Sequence, residues 1–430
     1  MTSSSSNSRP VLAVGLMSAP EIELNFISGF DSLGPKRISI GELTGPLRFD
    51  PVAPDSVFEL GGVTIGVGFH WQQRQSQRFR GAVELLPDNG VIVVINHIDV
   101  ENYLCSVISS EMSATSPIEF LKAHAVISRS WLLRMIGRRA SECVAAPGMV
   151  ADGEIVRWYD REDHTLFDVC ADDHCQRYQG VTRLTTDMAL QAVKATEGMV
   201  LTCADGTLCD ARFSKCCGGA TEVFGTCWGE EHHPYLQAFR DTLPQQPLPD
   251  LTTEAGARQW ITSRPESFCN TSDPALLGKV LNNFDRTTTD FYRWEVTATS
   301  EELAETIRSK SGIDFGDIVD LTPLDRGPSG RLYRLKITGT KRTLIVGKEL
   351  EIRRLLSPTH LYSSAFIVEK TEKIGDGDKK ITTFTLRGAG WGHGVGLCQI
   401  GAAAMSEAGY GFKQILAHYY PDTTVTKAYE

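Results

Sequence analysis

The tract YLCSVISSEM, followed by PIEFLKAHAVISRSW, carries Glu111 near its end, with Lys122, His124 and Arg129 in the second segment. A carboxyl partly desolvated against Tyr103 and Met112 has a raised pKa, which suits it to give up a proton as a general acid and take one back as a base. The plainer reading is a buried helical hairpin whose charges cap and pair. In HTLFDVCADDHC, His164, Cys170, His174 and Cys175 lie within twelve positions. Nitrogen and sulfur donors of this kind suit tetrahedral zinc, although the spacing is not that of a finger and neighbours such as His174 and Cys175 need not reach one ion. Two buried cysteines and two surface histidines would look the same.

RFSKCCGGATE offers Ser214 and Lys215, with Cys216 and Cys217 as buried small residues or a further metal ligand. RGAGWGHGVGLCQIGAAAM has glycines at 388, 390, 392, 394 and 396, from which His393 and Gln399 project. It lacks the GK[ST] ending of a phosphate loop and the spacing of a dinucleotide fingerprint. It reads instead as a glycine-lined floor for a sugar ring, with His393 and Gln399 as hydrogen-bond partners, or as a tight turn before a helix.

Residues 1–10 are polar and Ser-rich, a composition that predicts disorder. From 11 to 98 short β-type runs alternate with turn residues, and Asp88-Asn89-Gly90 between GAVELLP and VIVVI predicts a hairpin. Asp99 is placed to cap a short helix. Ser116-Pro117-Ile118-Glu119 has the form of a capping box opening a second helix to about Arg138. Residues 99–240 then read as the first part of a core. Residues 241–380 form an insert or second subdomain with one helix, SEELAETIRSKSG, and two strands, RLYRLKITG and KRTLIVG, after a surface loop at 241–250. Residues 381–430 complete the core. Irregularly placed helices among many strands predict an α+β fold, mostly antiparallel, around a buried helical hairpin.

The 430 residues suffice for two or three structural units, and a formal charge of −10 argues against nucleic acid or an anionic membrane as partner. No window approaches the roughly 20 apolar residues of a membrane span, and MTSSSSNSRP lacks the form of a secretory signal. Eleven cysteines, an odd number, cannot all pair within one chain.

The ISSEM tract with its LKAHAVISRSW helix, the CGGATE turn and the GWGHGVGLCQIGA ending, in this order, resemble the SpoIID/LytB family over roughly Val100 to Pro421. Ser113, Ser116, His124, Cys398 and Ile400 depart from its usual residues. The resemblance implies a bacterial lytic transglycosylase acting on peptidoglycan glycan strands freed of stem peptides, with Glu111 catalytic. It also implies a structural zinc at the His/Cys cluster, an amidase as working partner, and a place in the cell envelope or periplasm. The alternative within the same family is a non-catalytic glycan-binding enhancer of a cell-wall amidase; outside it, a zinc hydrolase built on His164 and His174. An anionic lactyl group on the sugar would favour nearby cations, for which Lys122, Arg129, Lys215 and Arg387 are available.

Overall fold

The computed structural model describes residues 9–67, 72–139, 148–151, 153–157, 164–374 and 380–430. Most of the tail expected to be disordered lies outside them. Arg9 pairs with Glu197, and the Pro10 carbonyl accepts the Val100 amide at 3.0 Å.

The first hundred residues form two antiparallel layers. β1 (Val11–Ala19), β2 (Glu21–Ser28), β3 (Gly34–Ser39), β4 (Leu47–Phe49), β5 (Val57–Ile65), β6 (Gln73–Phe79), β7 (Ala82–Asp88) and β8 (Val91–Asp99) divide between a four-stranded sheet, β3-β2-β5-β6, and a larger one containing β1-β8-β7-β4. The β7–β8 hairpin turns where expected. Asn89 and Gly90 take φ of 45° and 83°, the left-handed pair that matches the twist of the strands. Leu12, Val14, Ile22, Leu24, Phe26, Phe58, Leu60 and Phe79 fill the space between the sheets, each an inward position of a strand whose neighbours point out.

β8 runs straight into α1 (Val100–Glu111), whose N-cap Asp99 accepts the Glu101 and Asn102 amides at 3.1 Å each. α2 (Ile118–Arg139) packs on it, so the helical hairpin expected from the sequence is central and buried. The capping box does not form. Ser116 Oγ is buried with no partner among the described residues, while Glu119 accepts the distant Phe412 amide at 2.9 Å and pairs with Lys122 at 2.5 Å.

β9 (Gly148–Ala151), β10 (Glu154–Arg157), β11 (Val169–Cys170), α3 (Met188–Ala195), β12 (Met199–Thr202) and β13 (Phe213–Ser214) follow. β11 adds to β1 in parallel and thereby brings the His/Cys segment beside α1.

The next stretch holds α4 (Phe224–Cys227), α5 (Glu254–Thr262), α6 (Pro274–Val280), β14 (Arg293–Thr299), α7 (Ser300–Ser311), β15 (Ile318–Arg326), β16 (Leu332–Gly339), β17 (Thr343–Gly347), α8 (Glu349–Leu355), β18 (Phe366–Ile374) and β19 (Lys380–Ala389). The helix at SEELAETIRSKSG is α7, closed by a Thr299/Glu302 capping box and by Gly312 at φ 73°. The two strands expected after it are the antiparallel pair β16 and β17. Residues 294–386 contribute a second hydrophobic cluster of their own, around Trp294, Ile307, Leu335, Ile352 and Phe384. That excursion opens and shuts on paired strands, since Arg293 on β14 faces Ala389 on β19. β20 (Leu397–Cys398), α9 (Gln399–Glu407), α10 (Phe412–Tyr419) and β21 (Thr424–Lys427) return to the first core, where β20 pairs with β13 and β21 with β12. The fold is α+β, as the sequence predicts. No helix among the described residues is long and apolar enough to cross a membrane.

Candidate active site

α1 ends at Glu111, and a helix end leaves carbonyls that need donors. Side chains from far along the chain supply them. Asn282 Nδ2 donates to the Ser110 carbonyl at 2.8 Å and Lys215 Nζ to the Glu111 carbonyl at 2.9 Å. The position of Glu111 is therefore set by two donors besides its own helix.

Its side chain meets the segment 176–179, which lies along one face of α1. Tyr103, Ser106 and Ser110 recur at helical spacing on that face. Tyr103 donates to Gln176 Oε1 at 3.3 Å and stacks on Tyr178 with ring centres 5.0 Å apart. The Gln179 amide donates to Ser106 Oγ at 3.1 Å and Ser110 Oγ at 3.2 Å. Between them the Arg177 amide donates to Glu111 Oε1 at 3.0 Å.

Glu111 is 9% exposed, and burial raises its pKa above the ordinary value of 4.5; the nearby Arg177 charge pulls the other way. The other carboxylates of the cluster are ion-paired. Asp173 holds Arg177 Nε at 2.5 Å, and Asp285 holds Lys215 Nζ at 2.8 Å and Arg177 at 3.5 Å. Burial pushes Asp173 up to about 6.

A raised pKa has a sign in stability. Folding disfavours the ionised Glu111, so above its raised pKa the wild-type fold carries a penalty that a neutral isostere lacks, and below the ordinary value the penalty disappears. Glu111→Gln should therefore melt at the same temperature as wild type or higher near pH 8, with the gap closing below about pH 4. Melting curves across that range test this. A variant less stable than wild type at the alkaline end would mean that Arg177 and Lys215 hold the carboxylate ionised.

His164 Nε2, His174 Nδ1 and the sulfurs of Cys170 and Cys175 all lie within 4.8 Å of one another. Cys175 Sγ is 3.4 Å from both His164 Nε2 and His174 Nδ1, and Cys170 Sγ is 3.8 Å from His174 Nδ1. The adjacent His174 and Cys175 do converge, which sequence spacing left open. The donor set fits a tetrahedral zinc in type and separation. It immediately precedes the segment that touches Glu111.

The remaining residues expected against substrate divide. Lys215 reaches the Glu111 carbonyl, whereas Ser214, the last residue of β13, accepts the Gly394 amide at 3.2 Å. Arg129 belongs in the core: it is fully buried and forked onto Glu101 at 2.9 and 2.6 Å. Gln399 is buried as well and bonds His124 Nε2 at 3.1 Å. Lys122 is taken up by Glu119, and Arg387 pairs with Glu295 at 2.9 Å on the outer sheet. His393 accepts the Val395 amide at 3.0 Å and packs edge-on to Trp228, with ring centres 4.8 Å apart.

The glycine run also has an internal reason. A Cβ on Gly394 would lie 2.4 Å from the buried Arg331 guanidinium carbon, and one on Gly390 would lie 2.7 Å from the Cys216 carbonyl. These glycines let two backbones and an arginine pack together, so a sugar floor is not what requires them. Arg177, Asp285 and Asn282 were not anticipated from the sequence. Arg177 acts on Glu111 through its backbone amide, which no residue type signals, and the other two lie more than 170 positions away.

A stage II sporulation protein family model matches residues 88–203, and a domain of unknown function, DUF8618, matches 222–396. The chain is 27% identical to the amidase enhancer of Bacillus subtilis over 340 residues, which are 75% of this chain and 40% of that protein. It is 25% identical to an uncharacterized protein of Brachyspira hyodysenteriae, covering 85% of this chain and 77% of that one. It is 24% identical to the stage II sporulation protein D of Bacillus subtilis, covering 78% and 76%.

Proposed function

We propose that this SpoIID/LytB-like protein acts on the bacterial cell wall as a lytic transglycosylase, cleaving glycan strands between N-acetylmuramic acid and N-acetylglucosamine. The observation that carries the reading is Glu111: a buried carboxyl biased toward its protonated form, in a cluster whose other carboxylates are held in ion pairs. Hydrolytic glycosidases usually need two carboxylates, one as acid and one to activate water or attack the sugar. Here one suffices. Protonated Glu111 gives its proton to the glycosidic oxygen as the bond to C1 breaks. The carboxylate then takes the proton of the C6 hydroxyl, whose oxygen closes on C1 and leaves a 1,6-anhydro end.

The sugar ring itself supplies the nucleophile, so no water need be activated. The strands the protein would take are those without stem peptides, as the SpoIID/LytB resemblance implies; the cations beside Glu111, Lys215 and Arg177, are already paired with Asp285 and Asp173. Such strands are what an amidase leaves behind, which makes a cell-wall amidase the fitting partner and the cell envelope or periplasm the fitting location. The direct test is mass spectrometry of amidase-treated strands incubated with the protein. Wild type produces 1,6-anhydro ends and Glu111→Gln does not; equal amounts from both would end the proposal.

A zinc held by His164, Cys170, His174 and Cys175 would fix the fold of the loop leading into Arg177 and take no part in proton transfer. His174→Ala should lower the metal content and the melting temperature by several degrees, while Glu111→Gln keeps its metal and loses cleavage. A zinc hydrolase would lose cleavage with the histidine and retain it without the glutamate. The name of the amidase enhancer favours a second reading, stimulation of an amidase by glycan binding alone. In that case Glu111→Gln stimulates as well as wild type, and neither protein forms anhydro ends.

A further inference from the structure

We propose that Cys217, Cys269, Cys398 and Asp241 form a second, fully buried metal site that takes a tetrahedral zinc ion. The three sulfurs and one carboxylate oxygen all lie within 4.8 Å of one another, and all four residues are buried. Cys217 Sγ is 3.5 Å from Cys269 Sγ and 3.4 Å from Asp241 Oδ2. A tetrahedron with metal–sulfur bonds of about 2.3 Å has edges of roughly 3.7 Å, so these separations are close to those an ion would impose. The cysteines are free thiols.

The surroundings are organised around the carboxylate as well. Asp241 Oδ1 is taken by His418 Nε2 at 3.0 Å and the Tyr419 hydroxyl at 2.9 Å, which turns Oδ2 toward Cys217 Sγ and Ser267 Oγ, each at 3.4 Å. Orientation of a ligand through its other atom is what outer-shell partners of a metal do. The Cys217 amide points at Cys398 Sγ from 3.2 Å and the Ser267 hydroxyl approaches Cys269 Sγ at 3.3 Å, both suited to supporting thiolate charge. The helix that follows leaves room only for a bare backbone: a Cβ on Gly401 would lie 2.7 Å from Asp241 Oδ2 and 3.3 Å from Cys398 Sγ. Three sulfurs with one oxygen favour zinc over calcium or magnesium, which take oxygen shells.

The ligands come from places that need joining. Cys217 lies in the turn after β13, Asp241 and Cys269 in loops on either side of α5, and Cys398 on β20 where the chain re-enters the core. One ion would clamp the loops around α5 to both the outgoing and the returning chain.

The test is the metal content of the full chain purified from zinc-supplemented cells, measured in wild type, Cys175→Ser, Cys269→Ser and Asp241→Asn. An ion retained in Cys175→Ser and lost in Cys269→Ser or Asp241→Asn is the expected result. Cobalt added in place of zinc should show thiolate-to-cobalt absorption that survives Cys175→Ser. Should the core variants fail to fold, a Cys170→Ser/Cys175→Ser chain, which strips both sulfurs from the other cluster, decides by itself: one ion bound with thiolate-to-cobalt absorption upholds the site and none overturns it. A wild-type protein without bound metal, or one in which mass spectrometry finds Cys217 and Cys269 joined as a disulfide, also overturns it.

Discussion

Glu111→Gln is expected to cut glycan cleavage by about 10²–10⁴-fold, the usual contribution of a positioned proton donor and acceptor. Glutamine keeps the shape of the side chain and an oxygen for the Arg177 amide, so binding should be little changed and the loss should fall on turnover. The pH profile of the wild type adds a second check. Cleavage begins with protonated Glu111, whose pKa burial has raised, so activity should decline as pH rises through a value above the ordinary carboxyl range. An activity that instead rose through that range would require the ionised form at the start and would contradict the assigned role.

Arg129→Met is expected to destabilise the protein by about 3–5 kcal/mol, because it strands the buried Glu101 carboxylate. Glu101 is the meeting point of four segments: it sits on α1, takes the Arg129 fork from α2, accepts the Gly198 amide at 3.3 Å before β12, and receives the Tyr429 hydroxyl from the chain end. Arg129 also donates to the Met199 carbonyl at 2.9 Å. Denaturant unfolding measures the loss. Removing both charges with Glu101→Met in the same chain should recover much of it, since burying an apolar pair avoids desolvating either ion. Cleavage per folded molecule should stay near wild type, because Arg129 does not reach Glu111. A loss below about 1 kcal/mol would place the pair in the class of weak surface bridges.

How much of this could be read from residues in order depends on the range of each interaction. The Asn89-Gly90 hairpin, the Asp99 cap and the helix α7 are local, and residue types a few positions apart determine them. Ser116 to Glu119 had the right letters for a capping box, yet Glu119 is drawn to an amide 293 positions away, and tertiary packing overrides the local motif. Glu111 stood out because it is a lone acid in apolar sequence. Its partners did not, since Arg177 acts through a backbone amide and through a guanidinium that only folding brings near, and Lys215 and Asp285 likewise converge through folding. Arg129 looked like an available cation for the same reason that Glu101 looked unremarkable: nothing along the helix shows that they face each other. The His/Cys quartet was visible because its members lie close in sequence, whereas Cys217, Asp241, Cys269 and Cys398 are spread across 181 positions between first and last. The surface loop expected at 241–250 begins with a residue that has no solvent exposure at all.

The pairing of Arg293 with Ala389 has a consequence for how this protein can change. Everything from 294 to 388 leaves and rejoins the molecule as two strands lying side by side, and it brings most of its own apolar interior. That excursion is also sewn to the remainder along its flank: β17 pairs with β10, Lys348 Nζ donates to the Gly225 carbonyl at 2.6 Å, and Arg331 Nε donates to the Gly392 carbonyl at 3.1 Å. Changes confined to its exposed tips, such as the turn at 340–342, leave those seams and Glu111 untouched, whereas changes at Arg331 or along β17 carry straight into the glycine run and the sheet at β10.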